Sequence, residues 1–497
     1  MALAATFAVG PLILSVSPVL ASAQARLPAA DREAAAVIDT IALRSDTRIL
    51  AADSMGGRGL GSEGASMAAD FIRRRLVEIG VEPGPNGFFE DVPVRSIRLD
   101  GRSTITLTAG PDTAAFTSGR DFVIQSGARQ AFDDFSGDAI FAGTSDSALP
   151  VLRRTDVARK VIVIAGPLAE DADSLVRFLQ AEGAAAILQM VPDSQYLAEL
   201  GTSLGNRRFW VDRAVDEPRW QASIPRIICG PRLSRALLTL AAIPASALEG
   251  RVDTGLPLDW YARSRIFRDV QKIPARNVVG WIPGSDPLRR GEIVLFTAHF
   301  DHLGISGGAP DSIYNGFSDN AAGVAMLLSI ARVIGARPWS RSVAFVFMTG
   351  EEEGLLGSSS FAASPAWPLA DIRAVINLDG GAPPRPPIAW RLAGLPDSPF
   401  SLLADSLTRA LGWTPSRTGT RANSDHWPFL ARGVPSIFII PGNEWEDTST
   451  AEHDALRQRW DHYHQPTDQW EPDFPFAGLA RYAWLALRIG QSMGNPG

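Results

Sequence analysis

The sequence predicts an α/β chain: a mostly parallel β-sheet sandwiched by helices, with a β-rich unit inserted ahead of most of it. Three observations predict this. After "IPARNVVGWIPGSDP", continuous apolar runs of strand length alternate with helical runs, the pattern of a parallel sheet covered on both faces. Residues 115–265 change texture to short apolar strands and hold no histidine. Finally, all six histidines lie beyond position 298, the sharper ones where a strand ends.

At 497 residues the chain predicts two or three domains. Residues 1–23 read as a secretory signal, with an apolar stretch from Leu3 to Leu20 and then "ASA" at Ala21–Ala23. A basic n-region is missing, and Pro11 and Pro18 interrupt a segment already short for a membrane span. Export predicts a periplasmic or secreted protein. Residues 24–114 form the leading part of the main domain. Here the helical pattern from Ala34 to about Leu76 is broken by "SMGGRGLGSEG" at Ser54–Gly64, which lacks the G-K-[ST] of a phosphate loop. From Ser66, "SMAADFIRRRLVEIG" is an amphipathic helix ended by Gly80.

Residues 115–265 give strands in "GDAIFAG", "KVIVIAGP" and "AAAILQMV" and a helix in "DSLVRFLQAEGA". Residues 266–497 are the main domain, with strands in "GEIVLFTAHF", "SVAFVFMTG", "IRAVINLDGG" and "VPSIFIIPG" and helices in "NAAGVAMLLSIARVIGA" and "SLLADSLTRALG". In such sheets, sites form at the carboxyl ends of strands.

Composition narrows the chemistry. With 47 Lys+Arg against 54 Asp+Glu and no long basic run, nothing marks a nucleic-acid or membrane surface, and the expected partner is a small molecule or peptide. Cys229 is the only cysteine, read as buried in a strand, so any metal must be held by histidines and carboxylates.

His299 closes "VLFTAH" and Asp301 follows two residues later, supplying the carboxylate that a metal-bound imidazole usually needs. Asp319 in "FSDNAAG" fits a helix N-cap and Asp379 in "INLDGG" an Asp-Gly turn when each is read singly. Together, His, Asp, Glu and Asp at successive strand ends form an oxygen-rich site with imidazole, which suits zinc. Of the adjacent glutamates in "TGEEEG", one can bind metal while its neighbour acts as general base on the attacking water; Glu353 is left to solvent. His464 in "DHYHQPTDQW" is a last ligand.

The order "AHFDHLG", "IYNGFSDNAAGVAMLL", "TGEEEGLLGS", "INLDG", "SDHWPF", "GVPS" and "YHQPTD" resembles the di-zinc aminopeptidases of peptidase family M28, related to glutamate carboxypeptidases and glutaminyl cyclases. The match covers roughly 275–485, and residues before the insert resemble the leading segment of the same catalytic domain. "DVARKVIVIAGP" and "EGAAAILQM" look like an inserted protease-associated (PA) domain. The resemblance implies a zinc-exopeptidase core of the phosphorylase/hydrolase-like type and two zinc ions per chain. Asp319 would bridge them, with His299 and Asp379 on one ion and Glu352 and His464 on the other. Glu351 corresponds to the general base, Asp301 to the carboxylate that orients His299, and Tyr463 to a hydrogen-bond donor for the oxyanion. "GFSDN" departs from the commoner Gly-Ala-x-Asp-Asn, which alters the surroundings of Phe317, and "GGRG" stands where Glu-Gly-Arg is usual.

The expected function is therefore an exported aminopeptidase that removes N-terminal residues from peptides with a free amino end. A carboxypeptidase or dipeptidase of the glutamate carboxypeptidase type is the alternative, disfavoured because only about thirty residues follow His464. A glutaminyl cyclase or a non-catalytic binding protein on the same fold ranks below it, since no ligand position is lost.

Overall fold

The computed structural model describes residues 37–99, 102–125, 134–166, 173–191, 208–211, 224–240, 256–306, 311–419, 422–446 and 448–495. The signal expected at 1–23 lies outside them. The chain divides into two compact units: one takes residues through Glu90, Arg276–Ser358 and everything from Pro365, the other Asp91–Ala275 and Ser359–Ser364.

The first unit is built on a nine-stranded sheet among the described residues. Its strands are β1 (Glu82–Pro83), β2 (Phe89–Asp91), β3 (Arg276–Ile282), β4 (Ile293–His299), β5 (Ser342–Met348), β6 (Ile372–Leu378), β7 (Ala389–Gly394), β8 (Thr414–Gly419) and β9 (Ser436–Pro441). The order is β1-β3-β5-β4-β6-β9-β7-β8, with β2 also paired to β3. The central β5, β4, β6 and β9 run parallel. They are the four apolar strands that the sequence predicts, and every residue of β4 and β5 is buried. Strands β3 and β7 join this centre antiparallel, an edge pattern common in α/β sheets that apolar periodicity does not foretell.

Register places the chemistry. His299 pairs with Met348 and Thr297 with Asn377, so His299, the turn after Met348 and Asp379 leave the sheet at one carboxyl edge.

Helices α1 (Thr40–Leu50), α2 (Glu63–Ile79), α3 (Ala322–Ala336), α4 (Pro399–Ala410) and α5 (Ala477–Gly494) belong to this unit. Ser62 caps α2 by accepting from the Ala65 amide, and Gly80 ends it in the left-handed conformation. Helix α3 is apolar almost all round because it is buried, packed against α1, α2, α5 and β4. The glycine-rich break is a 3-10 turn, Asp53–Arg58. Gly57 there has φ +64°, and a Cβ would fall 2.3 Å from the Gly304 carbonyl oxygen, so only glycine fits.

The second unit has its own core. Among the described residues its eight-stranded sheet is mixed: Ser136–Thr144, Val161–Ala165, Ala186–Met190 and Arg226–Cys229 run parallel in the centre, and antiparallel strands flank them. Ile105, Phe141, Val163, Leu188 and Ile227 are among its fully buried residues. Cys229 is buried with them, and burial pushes its thiol far up, so it is an inert apolar residue.

Candidate metal centre

Five segments converge at the carboxyl edge of the central strands. Strand β4 ends on His299, and the chain then folds back so that Asp301 and His302 are buried as well. The turn after β5 carries Glu351 and Glu352, β6 hands over directly to Asp379, and the segment ahead of α3 carries Asp319. His464 arrives from the loop before α5, in a left-handed backbone conformation with φ 56°.

Asp319 does not cap α3: the helix starts after Ala321 with no side-chain cap. Its carboxylate points into the cluster instead. Oδ1 lies 3.2 Å from His299 Nε2 and Oδ2 3.1 Å from His464 Nε2. His299 Nε2 is also 3.0 Å from Asp379 Oδ1, and His464 Nε2 is 3.1 Å from Glu352 Oε2. Two groups result, His299–Glu351–Asp379 and His302–Asp319–Glu352–His464, with ligand atoms within 4.8 Å of one another in each.

Main-chain and side-chain contacts behind these groups hold them. Asp468 accepts from the amides of Ser318 at 2.9 and 3.1 Å and of Asp319 at 3.1 Å. Asn320 ties the same segment to β6 by donating to the Leu378 carbonyl at 2.9 Å. Behind Asp379, Thr297 donates to Asn377 at 2.7 Å, Asn377 to Ser424 at 2.6 Å, and Ser424 to Asp379 Oδ2. Arg58 is fully buried and donates to the carbonyls of Leu50, Phe300, Asn315 and Gly316 at 2.6–2.8 Å. That one guanidinium ties down both the loop after β4 and the segment leading to Asp319.

Electrostatics follow from burial among like charges. Burial pushes Glu351 well above the carboxylate range, with Asp379, Asp425 and Glu352 adding to it against the pull of His299. Asp379 is raised for the same first reason. Burial also works on Asp319 and Glu352, yet their hydrogen bonds to histidines outweigh it and hold both low. Hydrogen bonds to Asp319 and Glu352 lift His464 to about 10. Burial pulls His299 down, but Asp379, Glu351 and Asp319 together raise it well above the usual range. Four carboxylates, one buried and three partly buried, crowded in this way repel one another unless cations stand among them. Asp301 Oδ2 and His302 Nε2 are buried with no hydrogen-bond partner. Hard oxygen donors mixed with imidazole suit zinc, so the residues fit divalent metal.

The eight residues singled out from sequence all lie in or beside this cluster. Asp301 differs in detail. The contact to His299 Nδ1 is made by its backbone carbonyl at 3.2 Å, while its carboxylate stands 3.9 Å away and accepts from the Glu351 amide at 3.2 Å. Tyr463 is 66% exposed yet stacks on His464, ring centroids 3.8 Å apart, and its hydroxyl is raised by partial desolvation there and by the four carboxylates. Glu353 is exposed. Three histidines stay out of the cluster: His426 is fully buried against Phe438, where burial pushes it down to about 4; His453 packs on Trp445; and His462 donates its Nε2–H to the Arg459 carbonyl at 2.8 Å. Sequence reasoning missed His302, Ser424, Asp468 and Arg58, although all four sit inside stretches already quoted.

Residues 277–488 match the sequence model of Peptidase family M28. Over that stretch the chain resembles peptidase family M28. The chain is similar to Aminopeptidase YwaD of Bacillus subtilis, 26% identical over 216 residues. That alignment spans 40% of this chain and 40% of the relative's own length. Among solved structures, the fold resembles an aminopeptidase from Aneurinibacillus sp. strain AM-1, with TM-score 0.57, 18% identity, and 94% and 97% of the two chains covered. It also resembles BSAP, a zinc aminopeptidase from Bacillus subtilis, with TM-score 0.51, 19% identity, and 92% and 95% covered. These likenesses show the fold alone, over 94% and 92% of the chain.

Proposed function

We propose that the protein is an exported aminopeptidase that uses two zinc ions to hydrolyse the N-terminal peptide bond of peptides with a free amino end. One observation carries this: the two oxygens of Asp319 face different histidines, His299 at 3.2 Å and His464 at 3.1 Å, as a carboxylate shared between two ions must. His299 and Asp379 would hold one ion, Glu352 and His464 the other. Bound there, zinc supplies Lewis acidity toward the peptide carbonyl and makes water more acidic.

The chain's own residues do the rest. Glu351 is the general base: burial leaves its carboxylate avid for a proton, which suits it to take one from the attacking water and return it to the leaving amine. Asp301 fixes the turn that carries this base by accepting from the Glu351 amide. The Tyr463 hydroxyl, held protonated, donates to the oxygen that gains charge. The carboxylate-rich wall favours an ammonium group over a second carboxylate on the substrate, which selects the amino end.

We further assign the unit Asp91–Ala275 as a PA-type insert, and export to the periplasm or medium through residues 1–23. The deciding experiment measures metal content alongside turnover of matched free and N-acetylated peptides, with and without chelator. Two divalent ions per chain and hydrolysis of the free peptide alone are expected. Equal turnover of the acetylated peptide, or undiminished hydrolysis by metal-free protein, refutes the reading.

A further inference from the structure

We propose that His302 is a positioning residue of the metal centre: its Nδ1–H holds Oε1 of Glu352, so that Oε2 alone is left to face the ion shared with His464 and Asp319. The inference rests on the two-ion reading above and assigns a residue outside the five proposed ligands.

The geometry is specific. The imidazole is 2% exposed. Nδ1 lies 2.6 Å from Glu352 Oε1 and 3.8 Å from Asp319 Oδ2, so its hydrogen bond goes to the glutamate. Glu352 Oε2 is turned the other way, 3.1 Å from His464 Nε2. A neutral imidazole that donates through Nδ1 keeps a bare Nε2, and Nε2 of His302 has no partner.

The ring cannot swing away. Its far edge lies against Gly316, where a Cβ would stand 2.6 Å from both Cγ and Cδ2. Its backbone amide donates to the Arg58 carbonyl at 3.3 Å. The His464 ring meets it edge-on, with centroids 5.7 Å apart. A liganding carboxylate free to rotate about its terminal bond alternates between one-oxygen and two-oxygen contact with an ion, and a donor on one oxygen removes that freedom. His302 thereby holds Glu352 as Ser424 holds Asp379, with one oxygen of each carboxylate already taken.

The test uses the full chain stripped of metal and titrated with zinc against a chromophoric chelator, which reports both affinities without any assay of turnover. Asparagine places its amide nitrogen near the position of Nδ1; glutamine places its own near Nε2. His302→Gln should weaken one of the two sites ~10–100-fold, the usual loss when a residue that orients a ligand is removed, while His302→Asn stays within about threefold of wild type. Wild-type affinities in both variants, equal losses in both, or loss in His302→Asn alone overturn the inference. A zinc-loaded crystal structure of the unaltered protein is the second measurement. It should keep Nδ1 on Oε1 with no ion near either ring nitrogen; zinc at roughly 2.0–2.1 Å from either makes His302 a ligand and overturns the positioning role. Wild-type protein that binds no zinc fails the two-ion reading itself, a result distinct from all of these.

Discussion

Asn377 donates its side-chain amide to the Ser424 hydroxyl over 2.6 Å. Both are buried, and Ser424 in turn donates to Asp379, so a residue inside β6 controls the carboxylate at that strand's end. Ser424→Ala breaks the chain in the middle. It should weaken zinc binding at the His299–Asp379 position ~10–100-fold and cost about 1–3 kcal/mol for the Asn377 donor left unpaired. Chelator competition and urea unfolding check the two effects separately.

Glu351 and Glu352 are neighbours in sequence to which the proposed mechanism gives different work. Glu351→Gln should keep both ions and the fold while kcat falls by ~10²–10⁴, the usual worth of a positioned general base. Glu352→Ala should lose affinity at one position and recover part of its activity in excess zinc, because the loss is a ligand. Metal content and kcat measured on the same preparations decide; metal loss in Glu351→Gln with none in Glu352→Ala reverses the roles.

Arg58 serves four carbonyls from the interior, and burial brings it down to about 10, still charged at neutral pH. Hydrogen bonds to a charged group contribute about 1.5–3 kcal/mol each, though their losses overlap. Arg58→Met should therefore destabilise the metal-free chain by about 3–5 kcal/mol, read from urea unfolding, and Arg58→Lys should recover only part because a lysine cannot span the same carbonyls.

The stability of the metal-free protein should fall as pH rises from about 4 to 7. Burial lifts Asp301 to about 6 and Asp425 and Asp468 to about 7, against about 3.9 in an unfolded chain. Within that window the folded state keeps protons that the unfolded chain has released, so each rise in pH favours unfolding. His464, lifted to about 10, extends the same sign upward from about 6.5. His426, pushed down to about 4, acts in the opposite sense between about 4 and 6.5 but is one group against three. Zinc should flatten or invert the slope, because its binding displaces protons and tightens with pH. Melting temperatures across pH 4–8, with chelator and with zinc, check this; a chelated protein that grows steadily more stable from 4 to 7 refutes it.

By itself the sequence determined the central parallel strands and the helices between them, and it singled out His299, Asp319, the glutamate pair, Asp379 and His464 as the candidate ligands and base. Those features are local: unbroken apolar runs such as "IVLFTA" and "VAFVFM" declare buried strands, and polar residues stranded at their ends have nowhere else to point. Tertiary structure decided which histidines meet. His302 and His426 each sit one residue after an aspartate in a short motif, yet one ring reaches Glu352 at 2.6 Å and the other is packed away against Phe438. The difference lies in the path each loop takes after its strand, which depends on contacts made far off in the chain. Arg58 binds the Phe300 carbonyl across 242 residues and the Gly316 carbonyl across 258. No local pattern announces a partner at that distance, because a buried arginine and a solvated one read alike until the carbonyls that surround it have been brought together by folding.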